Sequence, residues 1–254
     1  MKNMYIASAN ILYYGNKMEL LSLDKESYNK AIINLLKQIE DADFFKPDMK
    51  NKFQYKNVLY TLLDKFAADN KNKEYIKYTL KHKLAIMAVS YELLGYISKR
   101  ILLHDSEKMV LYSMMDKKES SVLHRRYSIH HSGNFNNGSS LEDNILEAIF
   151  DYECARYTKP DKPQNAYETI HEHHPEDYNL QKPLLEKFNL DSFDHRDLNF
   201  NNFNRDSHLF VPIFEAINNV FIDEFKNHIS KVGVEKAVID FNNHLANLPI
   251  IEKW

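Results

Sequence analysis

The chain has 254 residues and a formal net charge of −3, because its 36 Asp and Glu residues slightly outnumber its 33 Lys and Arg residues. This balance argues against a protein held mainly by nucleic-acid phosphates, and no apolar run approaches the roughly 18 residues needed to span a bilayer. Cys154 is the single cysteine and the N-terminal residues lack the apolar core of a signal peptide, so we expect a cytoplasmic protein that contacts no membrane.

The first part of the chain is expected to form an irregular arm followed by helices. Residues 10–18 could form a short hairpin. Apolar residues at helical spacing then predict one helix from about residue 22 to 41 and another over residues 53–66. A further amphipathic stretch predicts a long helix over residues 74–102. The small number of turn residues, 5 Gly and 7 Pro, also favours helices over a sandwich or barrel.

Shorter helices are expected in the rest of the chain. One should begin near Asp105 or Ser106. The other predicted helices cover residues 120–131, 141–158, 165–174, 209–229 and 234–248. Residues 132–140 and the Asn-rich residues 191–207 are expected to form loops. The fold predicted from these patterns is all-α: a helical bundle with N-terminal and C-terminal helical extensions.

Three segments are expected along the chain. Residues 1–72 would form the arm and an N-terminal helical lobe, and residues 73–175 a metal-binding core. Residues 176–254 would supply a loop and C-terminal helices that pack on this core. The outer helices could serve as a lid or as the interface of a homodimer, and the sequence leaves both open.

Imidazole and carboxylate side chains recur in an order that suggests a metal centre. The candidate ligands are His82, His104, Asp105, His124, His130, His131 and Asp151. A divalent transition metal needs several such groups converging from separate elements. Asp105 suits a bridging position, because a carboxylate offers two oxygens. His124 and His131 would share one face of a continuous helix, so His130 can join them only if the helix breaks.

The order of these residues resembles the HD-domain superfamily of metal-dependent phosphohydrolases. In that superfamily, which is all-helical, an adjacent His-Asp pair lies between an upstream His and a downstream Asp. The corresponding residues in this chain are His104 with Asp105, His82 and Asp151. The resemblance covers about residues 81–174, so the bundle is expected to be HD-like there.

A finer resemblance concerns the segment from Leu102 to Lys108, which reads Leu-Leu-His-Asp-Ser-Glu-Lys. It is similar to the Leu-Leu-His-Asp-x-Gly-Lys segment of the cyclic-dinucleotide phosphodiesterase branch, with Glu107 in place of Gly. In that branch the Lys contacts phosphate, and a single His followed by a His-His pair extends the metal site. His124 and the pair His130-His131 match that order. Residues 151–163 are also similar to an HD-like family of bacterial and phage proteins.

The resemblance implies a metal-dependent phosphohydrolase that acts on a nucleotide or another small phosphate ester. Its imidazole-rich ligands would favour one or two ions of Mn, Fe, Co, Ni or Zn. Asp105 and Lys108 are the candidate catalytic residues, and Lys108, Arg125 and Arg126 the candidate substrate-binding groups. Two other functions fit the pattern: a di-iron oxygenase of the HD type, and a non-catalytic, metal-stabilised protein that binds a nucleotide or partner.

Simpler interpretations exist for several of these residues. His104 and Asp105 could form only a helix cap, with Asp105 accepting from backbone N–H groups. Residues 171–177 contain three His and could supply further ligands or form a solvated helix end. Cys154 is predicted to be a small buried residue and not a nucleophile, because no His lies near it in sequence.

Overall fold

The computed structural model describes residues 72–251, apart from residues 139, 160–162 and 196. The arm and the helices predicted before residue 72 lie outside this part of the chain. Within it, all regular structure is helical, which confirms the predicted all-α fold. The α-helices are α1 (Lys73–Leu94), α2 (Lys99–Leu103), α3 (Ser106–Met114), α4 (Lys117–Tyr127), α5 (Leu141–Thr158), α6 (Ala166–His173), α7 (Tyr178–Lys187), α8 (Asn201–Val232) and α9 (Val234–Leu245), and a 3-10 turn, Pro175–Asp177, joins α6 to α7.

Helices α1 and α5 form the centre of the bundle and pack along each other. Four consecutive residues of α1, from Ile86 to Val89, are fully buried, and so are Ala148, Ile149 and Phe150 of α5. A helix that is apolar on every side must be covered on every side. Helices α3 and α8 cover α1, whereas α6 and α7 cover α5. The segment after residue 175 therefore packs directly on the helices that carry the candidate ligands.

The prediction of one long helix over residues 74–102 is wrong in its extent, because the helix ends at Gly95. This residue adopts a left-handed backbone with φ +79°, and its N–H donates to the carbonyl of Tyr91 at 2.9 Å. Such a residue ends a helix, and glycine adopts it without steric cost. Ser98 then caps α2 by accepting from the backbone N–H of Ile101. The break allows α2 to carry the chain away from the axis of α1.

Helix α8 begins within the Asn-rich stretch that the sequence predicted to be a loop. The carboxylate of Glu92, on α1, accepts from the backbone N–H of Phe203 at 2.7 Å and from the Asn202 amide at 3.2 Å. A distant side chain thus satisfies a free donor of the first turn, and Phe203 itself is buried. Although α8 has 32 residues, no helix in the described part of the chain is long and apolar enough to cross a membrane.

Candidate metal centre

The His-Asp pair lies at a sharp turn between α2 and α3. Asp105 has a left-handed backbone with φ +56°. This conformation is uncommon for a residue other than glycine, and it persists where the surroundings enforce it. The buried ammonium of Lys83, on α1, donates to the carbonyl of Leu102 at 3.2 Å and to the carbonyl of His104. Lys83 therefore holds the turn in place from the inside of the bundle.

Asp105 occupies the residue before α3, but its carboxylate makes no capping hydrogen bond. Its Oδ2 accepts from Lys108 Nζ at 3.0 Å, and its Oδ1 is buried without a hydrogen-bond partner. The simple helix-cap interpretation of this residue is therefore wrong. The unpartnered oxygen points instead to a group that the protein atoms alone do not supply.

All seven candidate ligands converge in space. They form three overlapping groups, and within each group the ligand atoms lie within 4.8 Å of one another. The groups are His82, His104 and Asp151; His104, Asp105 and His130; and His124, His130 and His131. Asp105 Oδ1 lies 3.3 Å from His124 Nε2, 3.7 Å from His104 Nε2 and 3.8 Å from His130 Nε2. Asp105 is thus the central carboxylate of the cluster.

Asp151 connects the other side of this cluster. Its Oδ1 lies 2.5 Å from His82 Nε2 and 3.7 Å from His104 Nε2. His82 comes from α1 and Asp151 from α5, the two central helices. The packing of these two helices therefore sets the separation of ligands that are 69 residues apart in sequence.

A helix break allows His124, His130 and His131 to meet. The predicted helix over residues 120–131 ends early, at Tyr127, and the chain then turns so that the N–H of His131 donates to the carbonyl of Ser128 at 3.2 Å. His131 Nε2 lies 2.9 Å from His124 Nε2, and the rings of His130 and His131 are 4.6 Å apart. The break that the helical geometry required for a three-histidine group is therefore present.

Buried carboxylates contact the Nδ1 atoms of two imidazoles in the cluster. Glu147 Oε1 lies 2.8 Å from Nδ1 of His104, and Glu107 Oε1 lies 2.7 Å from Nδ1 of His124. A carboxylate accepts from Nδ1–H, which leaves the Nε2 lone pair free for a cation. The sequence interpretation assigned neither glutamate to the metal site. Glu147 precedes Asp151 by one helical turn, and this spacing was the available signal for it.

The charges of the cluster also suit a cation. Four buried or half-buried carboxylates belong to it, namely Asp105, Glu107, Glu147 and Asp151, whereas the paired cations are Lys108 and Arg100. Burial opposes a charge on His104, but the nearby carboxylates, Asp105 first, raise its pKa to about 10. Burial likewise disfavours the ionised form of Asp151, yet His82 and His104 hold its pKa well below the usual range. Protons or a divalent cation can supply the balancing positive charge.

The cluster passes three tests for a metal site. Its donors are imidazole nitrogens and carboxylate oxygens, which are the ligands that transition metals prefer. His104 Nε2 and Asp105 Oδ1 are buried and have no hydrogen-bond partner. Carboxylates also support the imidazoles, as is typical of metal-ligating histidines. The buried His, Asp and Glu groups could therefore hold a metal ion.

The predicted substrate-binding cations lie in different places. Lys108 pairs with Asp105, and about one-fifth of its side chain is exposed. Arg125 lines a cavity of about 560 Å³ that also reaches His131 and Asp151 of the cluster. Arg126 lies 3.5 Å from Glu235 on α9 and does not belong to the lining of this cavity.

Another part of the cavity lining comes from α6 and the residues around it. Lys159, Gln164, Thr169, His173 and His174 contribute to it, and the sequence interpretation assigned none of them to a substrate site. His174 stacks on Tyr152 with ring centroids 5.5 Å apart and also lies close to Glu176 and Asp177. The His-rich residues 171–177 therefore reach the cavity through two of their three histidines.

Cys154 is fully buried, as predicted, but a histidine does lie near it in space. Its sulfur is 3.4 Å from Nδ1 of His82, and its thiol donates to the carbonyl of Asp151 at 3.1 Å. Burial raises the pKa of the Cys154 thiol well above the usual range. A protonated thiol without solvent access fits a support for His82 better than a nucleophile.

Comparisons with family models, with curated proteins and with solved structures find no match to this chain.

Proposed function

We propose that this protein is a metal-dependent phosphohydrolase of the HD type that acts on small phosphate esters, nucleotides among them. One observation carries the proposal: seven imidazole and carboxylate groups converge beside a cavity that basic side chains also line. The order of these ligands along the chain supports it as well, because it resembles that of the HD-domain superfamily.

The central position of Asp105 suits a bridging ligand. Its Oδ1 faces three imidazole Nε2 atoms within 3.8 Å, and its Oδ2 is held by Lys108. When bound, one or two divalent transition-metal ions would lower the pKa of a water ligand from about 15.7 towards 7 and polarise a phosphoryl oxygen. Glu107 and Glu147 would keep the imidazoles oriented, so the site needs little reorganisation when substrate arrives.

Lys108 would bind the reacting phosphate, and Arg125 lies where it can contact an anionic substrate. The ammonium of Lys108 has three donors, of which one is used by Asp105 in the described structure. The partly exposed side chain can direct another donor to a phosphoryl oxygen. Arg125, at the end of α4, presents a planar guanidinium to the cavity beside His131, and this group recognises phosphate oxygens in pairs.

The test combines metal content with turnover. The purified protein would be examined by elemental analysis and then incubated, with Mn, Co or Ni, with nucleoside mono-, di- and triphosphates, cyclic dinucleotides and p-nitrophenyl phosphate. The His104→Ala/Asp105→Ala variant should lose metal and phosphate release. The matched control is His228→Ala/Asp240→Ala, because His228 and Asp240 form a His-Asp pair at 3.0 Å between α8 and α9.

Each outcome of this test separates the proposal from its rivals. Metal-dependent phosphate release by the wild type and the control, lost in His104→Ala/Asp105→Ala, supports the phosphohydrolase. Bound iron with oxygen consumption and no phosphate release would indicate the di-iron oxygenase. Bound metal without any turnover would indicate a metal-stabilised binding protein. Absence of metal above trace, even after supplementation, would contradict the whole proposal.

A further inference from the structure

Two basic side chains, Arg125 and Lys159, line the cavity beside the candidate metal centre. Arg125 comes from the last turn of α4, and Lys159 follows directly on the end of α5. Both are exposed, and both line the same cavity as His131 and Asp151. The helix dipole favours basic residues at helix C-termini, which explains why a cation occurs at each of these positions. The dipole does not explain why both cations face one cavity.

In the part of the chain that the structure describes, these two cations lack the ion pairs that several other basic residues of this region form. Arg126 pairs with Glu235, Arg156 with Asp197 at 2.7 Å, and Lys187 with Glu142 at 3.6 Å. No carboxylate among the described residues forms an ion pair with Arg125 or Lys159. Ser132, Gln164 and Thr169 add neutral hydrogen-bonding groups to the same lining. The lining therefore complements a ligand that carries negative charge in addition to the group bound at the His-Asp cluster.

From this arrangement we infer that the substrate carries a second anionic group, a carboxylate or a second phosphate, which Arg125 and Lys159 bind. The inference rests on the proposed function, since it places the reacting phosphate at the metal cluster. A cavity of about 560 Å³ falls within the range of small-molecule sites and leaves room for a short linker between the two anionic groups. Arg125 and Lys159 would thus determine specificity.

The test uses ligands that differ only in the second anionic group. Propylphosphonate and phosphonopropionate cannot be hydrolysed, so their dissociation constants from the Mn-loaded protein can be measured by calorimetry without any turnover. Hydrolysis is followed in parallel with glycerol phosphate and phosphoglycerate. The variants are Arg125→Gln and Lys159→Gln, with Arg125→Lys as the conservative exchange. Lys118→Gln is the control, because Lys118 is an exposed cation on α4 that does not line the cavity.

Wild type and Lys118→Gln should bind phosphonopropionate about tenfold more tightly than propylphosphonate, since a charge-assisted hydrogen bond contributes roughly this much. The preference should fall below about threefold in Arg125→Gln and in Lys159→Gln, and Arg125→Lys should recover part of it. Far-ultraviolet circular dichroism would check that each variant is folded. If Arg125→Gln fails to fold, Lys159→Gln alone decides.

The two proposals can fail separately. The inference of a second anionic group would be overturned by equal affinities of the wild type for both phosphonates or by no binding of either. An unchanged preference in the folded variants would also overturn it. Hydrolysis of glycerol phosphate would still support the phosphohydrolase in those cases. Conversely, a preference that depends on Arg125 and Lys159 without hydrolysis of either ester would support the anion site and contradict the proposed reaction.

Discussion

At the scale of single residues, Asp105 combines backbone strain with an unpartnered buried oxygen. A left-handed backbone costs a residue other than glycine about 1–2 kcal/mol, and the fold must offset this cost elsewhere. Part of the compensation comes from Lys83, whose ammonium contacts the carbonyl of His104 and the hydroxyl of Ser106, the residues on either side. Ser106 in turn donates to Asn218 of α8 at 3.1 Å. The strained turn is therefore fixed from α1 and α8 together.

Glu147 provides a residue-scale prediction about metal affinity. Its Oε1 holds Nδ1 of His104 at 2.8 Å, so Glu147→Gln should weaken the orientation and basicity of that imidazole. Loss of such a supporting group typically lowers metal affinity about 10- to 100-fold. Competition for Mn or Zn with a chelator of known affinity would measure the change. Glu186→Gln is the control, because Glu186 is exposed and pairs only with Lys182 on α7. Equal affinities of Glu147→Gln and wild type would exclude this role for Glu147.

The site was partly predictable from the sequence, and the division has a physical reason. The chemistry of the His104-Asp105 pair is local, so these ligands can be recognised from their order. The function of Glu147 depends on which face of α5 meets α2, and this is decided by packing. The break at Ser128 was also missed, because neither Gly nor Pro marks it in the sequence. The members of the cluster could therefore be predicted from the sequence, whereas the carboxylates behind them and their orientation could not.

At the scale of helices, Gly95 decides where α1 ends, and this position permits a clean test. Its φ of +79° is left-handed, and a Cβ placed there would meet no atom within 4 Å. The cost of a substitution is therefore conformational and not steric. Gly95→Ala should lower the free energy of unfolding by about 1–2 kcal/mol, and Gly95→Asn by less, because Asn tolerates this conformation better. Urea unfolding would measure both, and equal costs for Ala and Asn would show that backbone conformation is not the cause.

His195 links the segment between α7 and α8 to α5, and it should make the stability of the protein depend on pH. Its Nε2 lies 3.1 Å from both carboxylate oxygens of Glu153, and its Nδ1 donates to the carbonyl of Ser192 at 2.9 Å. Burial opposes the charge, but Glu153 raises the pKa of His195 above its usual value of 6.5, against a smaller opposing effect of Arg156. The folded state therefore binds the proton more tightly than the unfolded state.

The stabilisation from His195 should accordingly be complete below the unfolded pKa and should disappear as the pH rises through the folded pKa. The difference in free energy of unfolding between wild type and His195→Gln should be larger near about pH 5.5 than near about pH 8.5. Urea unfolding at both pH values would measure it. His171→Gln serves as the control, because His171 contacts aromatic rings and the Tyr167 carbonyl, and no carboxylate among the described residues pairs with it. A difference that grows with pH would contradict the assigned direction.

At the scale of the whole molecule, the sequence pattern was sufficient for the fold class but not for every connection. The apolar periodicity of α5 and α9 predicted their positions closely, since apolar residues recur through both at helical spacing. The start of α8 depends on Glu92, which lies more than a hundred positions away from Phe203. Helix α7 was not predicted at all, although its Leu184 and Leu185 are buried. Local apolar patterns thus predict the positions of α5 and α9, whereas the start of α8, which depends on a distant contact, is missed.

Arg100 connects α2 and α5, at the candidate metal centre, to the C-terminal segment. Its guanidinium is fully buried and donates to Glu147 at 2.7 Å, to the Asn144 side chain at 2.6 Å and to the carbonyl of Leu248 at 3.3 Å. The residues after Leu248 continue this contact, because the N–H groups of Ile250 and Ile251 both donate to the carboxylate of Asp143 at 3.1 Å. One buried cation therefore joins α2, α5 and the chain beyond α9.

Replacement of Arg100 should consequently destabilise the whole bundle and not only the site. In Arg100→Met the aliphatic volume is largely kept, but Glu147 loses its buried cation and the Leu248 carbonyl loses a donor. Removal of one partner from a buried ion pair typically costs about 3–5 kcal/mol, so the free energy of unfolding should fall by that amount. Urea unfolding of the metal-free protein would measure it without any contribution from bound metal. The control is Arg126→Met, at a guanidinium that is 59% exposed, and it should change the stability by less than about 0.5 kcal/mol. Equal stabilities of the two variants would show that the buried guanidinium contributes no more to the fold than an exposed one.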